Sequence, residues 1–247
     1  MTIESKHDLT AMRAVGKLVA GALREMRDAL APRMTTEQLD DIGARYLRRH
    51  GARSAPQLTY DFPGFNCISV NDGIVHGVPN DRPLAAGDVV KIDVTAELDG
   101  YIADAAVTAV IPPAAPRALR LAYAAEVAFD RAFRIAKSGT RISALGREVE
   151  AEVKRCGFAV VHDMCGHGVG RGLHEQPTVP NFYSPLTPGT LSDGLVIALE
   201  PIICETPTSV YEDEDGWTIR TENGCLAAHF EHTILIHDGH AEILTAA

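Results

Sequence analysis

The chain has 247 residues, 46% of them hydrophobic, and a formal net charge of −10 at pH 7. That is enough apolar material for a substantial core, in one large domain of helices and strands or in two small ones. The acidic balance argues against nucleic acid or an anionic membrane as the main partner, because such partners require clustered Lys and Arg.

The opening run MTIESKHDLTAMRAVGKL is charged throughout and lacks the apolar stretch of a secretory signal. No uninterrupted apolar run reaches membrane-spanning length, so the expected location is the cytoplasm. Cys67, Cys156, Cys165, Cys204 and Cys225 are odd in number, irregularly spaced and without a CxxC pair. Reduced thiols are expected, rather than a disulfide framework or structural zinc.

Leu9, Met12, Val15, Val19, Leu23, Met26 and Leu30 recur every three or four positions, which predicts an amphipathic helix over about 8–30. After Pro32, capping threonines, Glu37 in the first turn, apolar Leu39, Ile42, Tyr46 and Leu47, and a terminating Gly51 predict a second. Over 52–83 the texture changes to short apolar pieces broken by Pro63, Gly64, Asn71, Gly73, Gly77 and Pro79, which predicts strands and turns around His76. DVVKIDVTAELDGYIADAAVTAVI predicts a β-hairpin turning at Asp99-Gly100. Pro112, Pro113 and Pro116 precede helices expected over about 117–136 and 142–156. From Phe158 onward strands alternate with Gly- and Pro-rich loops, ending in LVIALEPII and HFEHTILI, each with one glutamate. The order helix, helix, strands occurs twice without a long linker, so one domain over 1–247 is expected.

With Asp99 and Gly100 as the turn, Leu98 opposes Tyr101 and Thr95 opposes Asp104. Thr95 and Asp93 share a face, so Asp93 and Asp104 are diagonal neighbours, while Ile92, Val94 and Val107 point the other way. A single strand aspartate ordinarily faces solvent or caps a turn. Two on one face of an apolar hairpin repel each other and lose hydration unless cations neutralise them. Glu200 and Glu231 repeat the pattern in their own apolar runs. CGHGVGRGLHEQP surrounds His167 and His174 with glycines, which predicts a loop or strand edge whose backbone approaches something closely. Four carboxylates and an imidazole form a hard, oxygen-rich set suited to two divalent ions, Mn²⁺, Fe²⁺ or Co²⁺, with Zn²⁺ admissible. HExxH, GxSxG and a P-loop are missing, and GHGVGRG lacks the strand-helix context of a dinucleotide site.

At these residues the chain resembles the type I methionine aminopeptidases, members of the pita-bread metallopeptidases. The likeness covers almost the whole chain and rests on CISVNDGIVHGVP, KIDVTAELDGYIAD, CGHGVGRGLHEQP, LEP at Glu200, DGWTIRTENG and FEHTILI at Glu231. It implies an α+β pita-bread fold: two pseudo-symmetric αβ halves with a central antiparallel sheet and the metal site between them. By the same likeness Asp93 binds one metal, Asp104 and Glu231 bridge both, and His167 and Glu200 complete the other. Glu200 is implied as proton acceptor, His174 as a stabiliser of the scissile carbonyl, and His76 as a contact of the scissile amide nitrogen. Tyr60, Phe62, Cys67 and Trp217 are implied to surround a methionine side chain.

The implied activity is removal of N-terminal methionine from nascent proteins and peptides with a small second residue. The expected enzyme is a monomer whose catalytic domain makes any transient ribosome contact, since no extension precedes it. There are departures from the family pattern. Asp61 and Asn66 are unusual in the pocket stretch LTYDFPGFNC and bear on pocket shape, and His229 stands where the family usually has Gln, beside Glu231. Two other readings stay open. Prolidases and Xaa-Pro aminopeptidases share the five ligands but usually carry a large extra N-terminal domain, whereas only a helix pair precedes the motifs here. Non-catalytic pita-bread binding proteins lose ligands, whereas all five stand here with His76 and His174.

Overall fold

The computed structural model describes residues 1–246. The N-terminal half opens with α1 (Lys6–Ala29) and α2 (Thr36–Arg49). The Ser5 hydroxyl caps α1 by accepting from Asp8 N–H, and Thr35 with Gln38 forms a capping box on α2. There follow β1 (Arg53–Ser54), the short helix α3 (Ala55–Tyr60), β2 (Cys67–Val70) and β3 (Gly73–Val75). The sequence pattern predicts only strands and turns in this stretch, and α3 corrects it. Its stop and start signals are local: Ser54 accepts from Gln57 N–H, Pro56 lies in the first turn, and Asp61 ends it at φ 59°. One and a half turns are too short to show an apolar period.

The hairpin is β4 (Val89–Leu98) and β5 (Tyr101–Val110), with Leu98 opposite Tyr101, Thr95 opposite Asp104 and Asp93 opposite Ala106. This is the register expected from an Asp-Gly turn, and Gly100 has the positive φ of 81° that such a turn demands. The C-terminal half repeats the helix pair as α4 (Pro116–Ile135) and α5 (Ile142–Arg155). Its strands are β6 (Ala159–Val160), β7 (Cys165–Gly168), β8 (Glu175–Pro180), β9 (Val196–Leu199), β10 (Ile202–Cys204), β11 (Val210–Glu212), β12 (Ile219–Thr221), β13 (Ala227–His229), β14 (Glu231–His237) and β15 (His240–Ile243).

Nine strands form one sheet in the order β1-β4-β5-β14-β9-β7-β8, with β2 against β4 and β15 against β14. All its pairings are antiparallel. β14 joins the halves by pairing β5 on one side and β9 on the other. Met12, Val15, Val19 and Met26 of α1 pack with Ile92, Val94 and Ala103 of the hairpin in one core. Leu121, Ala125 and Phe129 of α4 and Leu145 and Val149 of α5 pack with Ile197, Leu199 and Ile234 in another. Burial of each large side chain contributes about 1.5–3 kcal/mol, so packing holds both helix pairs to the same face of the sheet, opposite the face that carries Asp93 and Glu231. None of the described helices is long and apolar enough to cross a membrane.

LVIALEPII and HFEHTILI are read from sequence as single strands, and the structure divides both. β9 stops at Leu199 and β10 begins at Ile202, while β13 stops at His229 and β14 begins at Glu231. Pro201 has no N–H for a ladder and restricts Glu200 to extended backbone, which ends β9 there. β10 and β13 belong to a small sheet, β13-β10-β6, while β9 and β14 belong to the large one. The chain therefore changes sheet twice, at neighbouring places: Ile202 pairs with His229, and Phe230 N–H donates to the Pro201 carbonyl at 3.2 Å. The two glutamates sit at these changeovers.

Candidate metal centre

One cavity is lined by Asp93, Asp104, His167, Glu200 and Glu231, together with His76, His174 and His229. The hairpin supplies the two aspartates, the sheet crossovers the two glutamates and His229, and β7 supplies His167. β7 is an interior strand, between β9 and β8, rather than the loop or edge expected from its glycines. The close approach behind those glycines is backbone to backbone: a Cβ on Gly166 would strike the Ala198 carbonyl, and one on Gly168 the Gln176 carbonyl.

Two compact triads occur among the described residues. Ligand atoms of Asp104, His167 and Glu231 lie within 4.8 Å of one another, as do those of Glu200, His229 and Glu231. Asp93 is in neither triad, although it borders the same cavity. His167 Nε2 is 3.4 Å from Glu200 Oε1 and 4.0 Å from Asp104 Oδ2. His229 Nε2 is 3.4 Å from Glu200 Oε2 and 3.5 Å from Glu231 Oε2.

The electrostatics call for cations. Burial first, then Asp104 and Glu200, push the Asp93 carboxyl well above its usual range. Glu231 is raised likewise by burial and by Asp104, Glu200 and Asp93, and Glu200 by burial and Asp104. Asp104 is raised to about 6 by burial, against the opposing hydrogen bond from Thr95. Burial, with His174 beside it, lowers His167 to about 4, so its ring is neutral near pH 7. His167 Nδ1 lies 2.9 Å from the Gly168 carbonyl, which only accepts, so Nδ1 carries the proton and Nε2 presents a bare lone pair toward carboxylates. A lone pair facing anions is repulsive unless a cation sits between them. Asp93 Oδ1 and Glu231 Oε1 are buried without a hydrogen-bond partner among the described residues, which again leaves room for an ion. The donor set therefore fits divalent metal.

Surrounding contacts hold these groups. Thr95 Oγ1 donates to Asp104 Oδ1 at 2.7 Å, while Thr233 Oγ1 accepts from Asp104 N–H at 2.9 Å and donates to its carbonyl at 2.8 Å. Asn181 Nδ2 donates to the Glu200 carbonyl at 2.9 Å. The Thr95 contact was available from hairpin register, whereas Thr233 and Asn181 carry no local signal. His76 has φ 56°, a left-handed conformation that costs a residue with a side chain about 1–3 kcal/mol and marks it as held in place by its surroundings.

Tyr60, Phe62, Cys67 and Trp217 line one pocket, shared with His76, Asp93, Asp104 and His174. Cys67 pairs with Asp93 across β2 and β4, which sets the pocket wall beside the carboxylates. Burial and the nearby carboxylates push the Cys67 thiol well up, so it is a neutral, soft surface. The Phe62 and Trp217 rings meet edge to face at 5.2 Å. Tyr60 Oη lies 2.6 Å from His174 Nδ1, a contact across 114 positions that no sequence pattern announced. Asp61 and Asn66, the departures in the pocket stretch, do not themselves line this pocket. Asp61 caps α3, and Asn66 is fully buried with Nδ2 donating to Asp40 Oδ1 at 2.7 Å.

Two helix pairs on one face of an antiparallel sheet, with a buried carboxylate and imidazole centre on the other face where the halves meet, define the pita-bread class of metallopeptidase fold. A family model described as metallopeptidase family M24 matches residues 10–238, and the chain belongs to that family. It is similar to methionine aminopeptidase 2 of Bacillus subtilis, at 40% identity over 247 residues, covering 99% of each chain. Among solved structures it superposes on methionine aminopeptidase from Thermotoga maritima with TM-score 0.96 at 35% identity, covering 100% of both chains. The methionine aminopeptidase from Rickettsia prowazekii gives TM-score 0.94 at 34% identity, covering 99% of this chain and 100% of that one.

Proposed function

We propose that the protein is a methionine aminopeptidase that removes the N-terminal methionine of nascent proteins and peptides when the second residue is small. The observation that carries this reading is the adjacency of the buried carboxylate and imidazole centre to a pocket walled by Tyr60, Phe62, Cys67 and Trp217. Methionine aminopeptidases matched from end to end support it. An Xaa-Pro peptidase is the less favoured reading.

Asp93, Asp104, His167, Glu200 and Glu231 would hold two divalent ions, with Asp104 and Glu231 shared; Mn²⁺, Fe²⁺, Co²⁺ and Zn²⁺ all suit the donors. Ions bound there supply Lewis acidity that polarises a carbonyl and brings the pKa of a water toward neutrality. Glu200 takes the proton from the attacking water. With the Tyr60 hydroxyl donating to Nδ1, His174 keeps its proton on Nε2 and donates to the carbonyl oxygen as negative charge develops. His76 hydrogen-bonds the scissile amide nitrogen and aids its protonation as it leaves. The substrate's free α-amine is received at the Asp93 end of the centre, which restricts cleavage to the first peptide bond. Phe62 and Trp217 enclose the thioether side chain, and the Cys67 thiol is a soft contact for its sulfur.

The whole of 1–247 is then one catalytic unit, because the nine-stranded sheet draws strands from both halves. The substrates named place its work in the cytoplasm. The test is to strip metal from the purified protein, add back Mn²⁺, Fe²⁺, Co²⁺ or Zn²⁺, and measure methionine release from Met-Ala-Ser beside an Xaa-Pro peptide. Metal-dependent release from the first alone is expected, and cleavage only of the second would replace the proposal.

A further inference from the structure

His229 has no part in the five-residue centre described above, yet it is set inside it. It ends β13, and its side chain is 2% exposed. Its backbone is pinned: His229 N–H donates to Thr108 Oγ1 at 2.9 Å, and that hydroxyl donates to the His229 carbonyl at 2.7 Å. Nδ1 and Nε2 are both buried, and neither has a hydrogen-bond partner among the described residues. A buried imidazole with both nitrogens idle is rare, because a nitrogen taken from water is normally given another partner.

The spacing indicates what that partner is. Nε2 stands 3.4 Å from Glu200 Oε2 and 3.5 Å from Glu231 Oε2. A ring N–H donating to a carboxylate closes to about 2.7–2.9 Å, so these gaps are too wide for ion-pair hydrogen bonds. Two ligand atoms each about 2.1 Å from one ion, at a tetrahedral angle, stand about 3.4 Å apart. His167 Nε2 and Glu200 Oε1, on the other side of Glu200, show the same 3.4 Å separation.

We propose that His229 is itself a metal ligand, supplying its imidazole with Glu200 and Glu231 to an ion held between the two sheet crossovers. This rests on the metallopeptidase reading of the centre and adds a sixth protein ligand to it. Imidazole in place of an oxygen donor moves the preference of that position from Mn²⁺ toward Fe²⁺, Co²⁺ and Zn²⁺.

The experiment loads the metal-free full-length protein with Co²⁺ alone and counts imidazole ligands by X-ray absorption, for the native protein and for His229→Gln. Titration calorimetry with Co²⁺ and with Mn²⁺ runs in parallel, and circular dichroism of the metal-free forms checks folding. The native protein should show one more imidazole than the variant, and the variant should lose at least about tenfold in Co²⁺ affinity with a smaller loss for Mn²⁺. Equal imidazole counts overturn the proposal, even with weaker binding, because His229 would then act only through hydrogen bonds to the glutamates. His229→Asn gives the same comparison should the glutamine variant fold poorly. Asp104→Ala separates the two failures: if native protein and Asp104→Ala bind Co²⁺ alike, the metal centre as a whole is misplaced.

Discussion

The N-terminal half delivers Asp93 and Asp104 from a single hairpin, β4 and β5, whose register follows from one two-residue turn. The C-terminal half delivers His167, Glu200 and Glu231 from three separate elements: an interior strand and two places where the chain passes between sheets. The first arrangement is local and is specified within about a dozen residues. The second exists only when β9, β14, β10 and β13 have been assembled, since Glu200 and Glu231 are carried beside each other by the pairing of Ile202 with His229. One half thus contributes a rigid pair of carboxylates, and the other closes a site around them. A centre split in this way ties catalysis to correct docking of the halves.

The contrast is tested most severely by removing one proposed ligand from each half. Asp104→Ala and Glu231→Ala should each lower metal-dependent turnover by more than about a hundredfold, beyond what loss of an outer hydrogen bond causes. If either variant kept near-native turnover, one half would be holding the centre alone.

A smaller effect is expected from the hydroxyls that support Asp104 from the two sides. Thr95 lies within the hairpin, and Thr233 reaches across from β14. Thr95→Val and Thr233→Val should each weaken Co²⁺ binding by about tenfold in calorimetry, with secondary structure preserved. An effect from Thr95→Val alone would show that the hairpin orients its aspartates without help from the other half.

Tyr60 of α3 touches His174 of the C-terminal half, so Tyr60→Phe tests positioning across the cleft. A fall in kcat of about tenfold is expected, with metal content and KM nearly unchanged, because the ring still fills the pocket while the hydroxyl contact is lost. A raised KM at constant kcat would instead make Tyr60 a wall of the pocket and nothing more.

The smallest difference lies in the helix pairs. α1 and α2 start on side-chain caps, whereas α4 and α5 start at Ala115 and Arg141 with none. Thr35→Ala should cost about 1 kcal/mol in urea unfolding, and Ala115→Asp should add about 0.5–1 kcal/mol by capping α4 before Pro116. An unchanged midpoint for Ala115→Asp would mean that packing alone sets where α4 begins.

The four long helices, the hairpin and the face shared by Asp93 and Asp104 were legible in residue order, because apolar period, caps and an Asp-Gly turn act over short separations. Residue order also marked Glu200 and Glu231 as misplaced charges and His167 and His174 as ligand candidates in CGHGVGRGLHEQP, and a family likeness added His76 and the role of each residue. That LVIALEPII and HFEHTILI each change sheet, that His167 lies on an interior strand, and that Tyr60 meets His174 emerge only when the strands are assembled. Strand pairing also set His229 beside Glu200 and Glu231, and put Asp61 at the end of α3 and Asn66 against Asp40. The reason is physical: strand identity and side-chain direction at a crossover are fixed by hydrogen-bond partners far along the chain, and no local pattern encodes which partners those are.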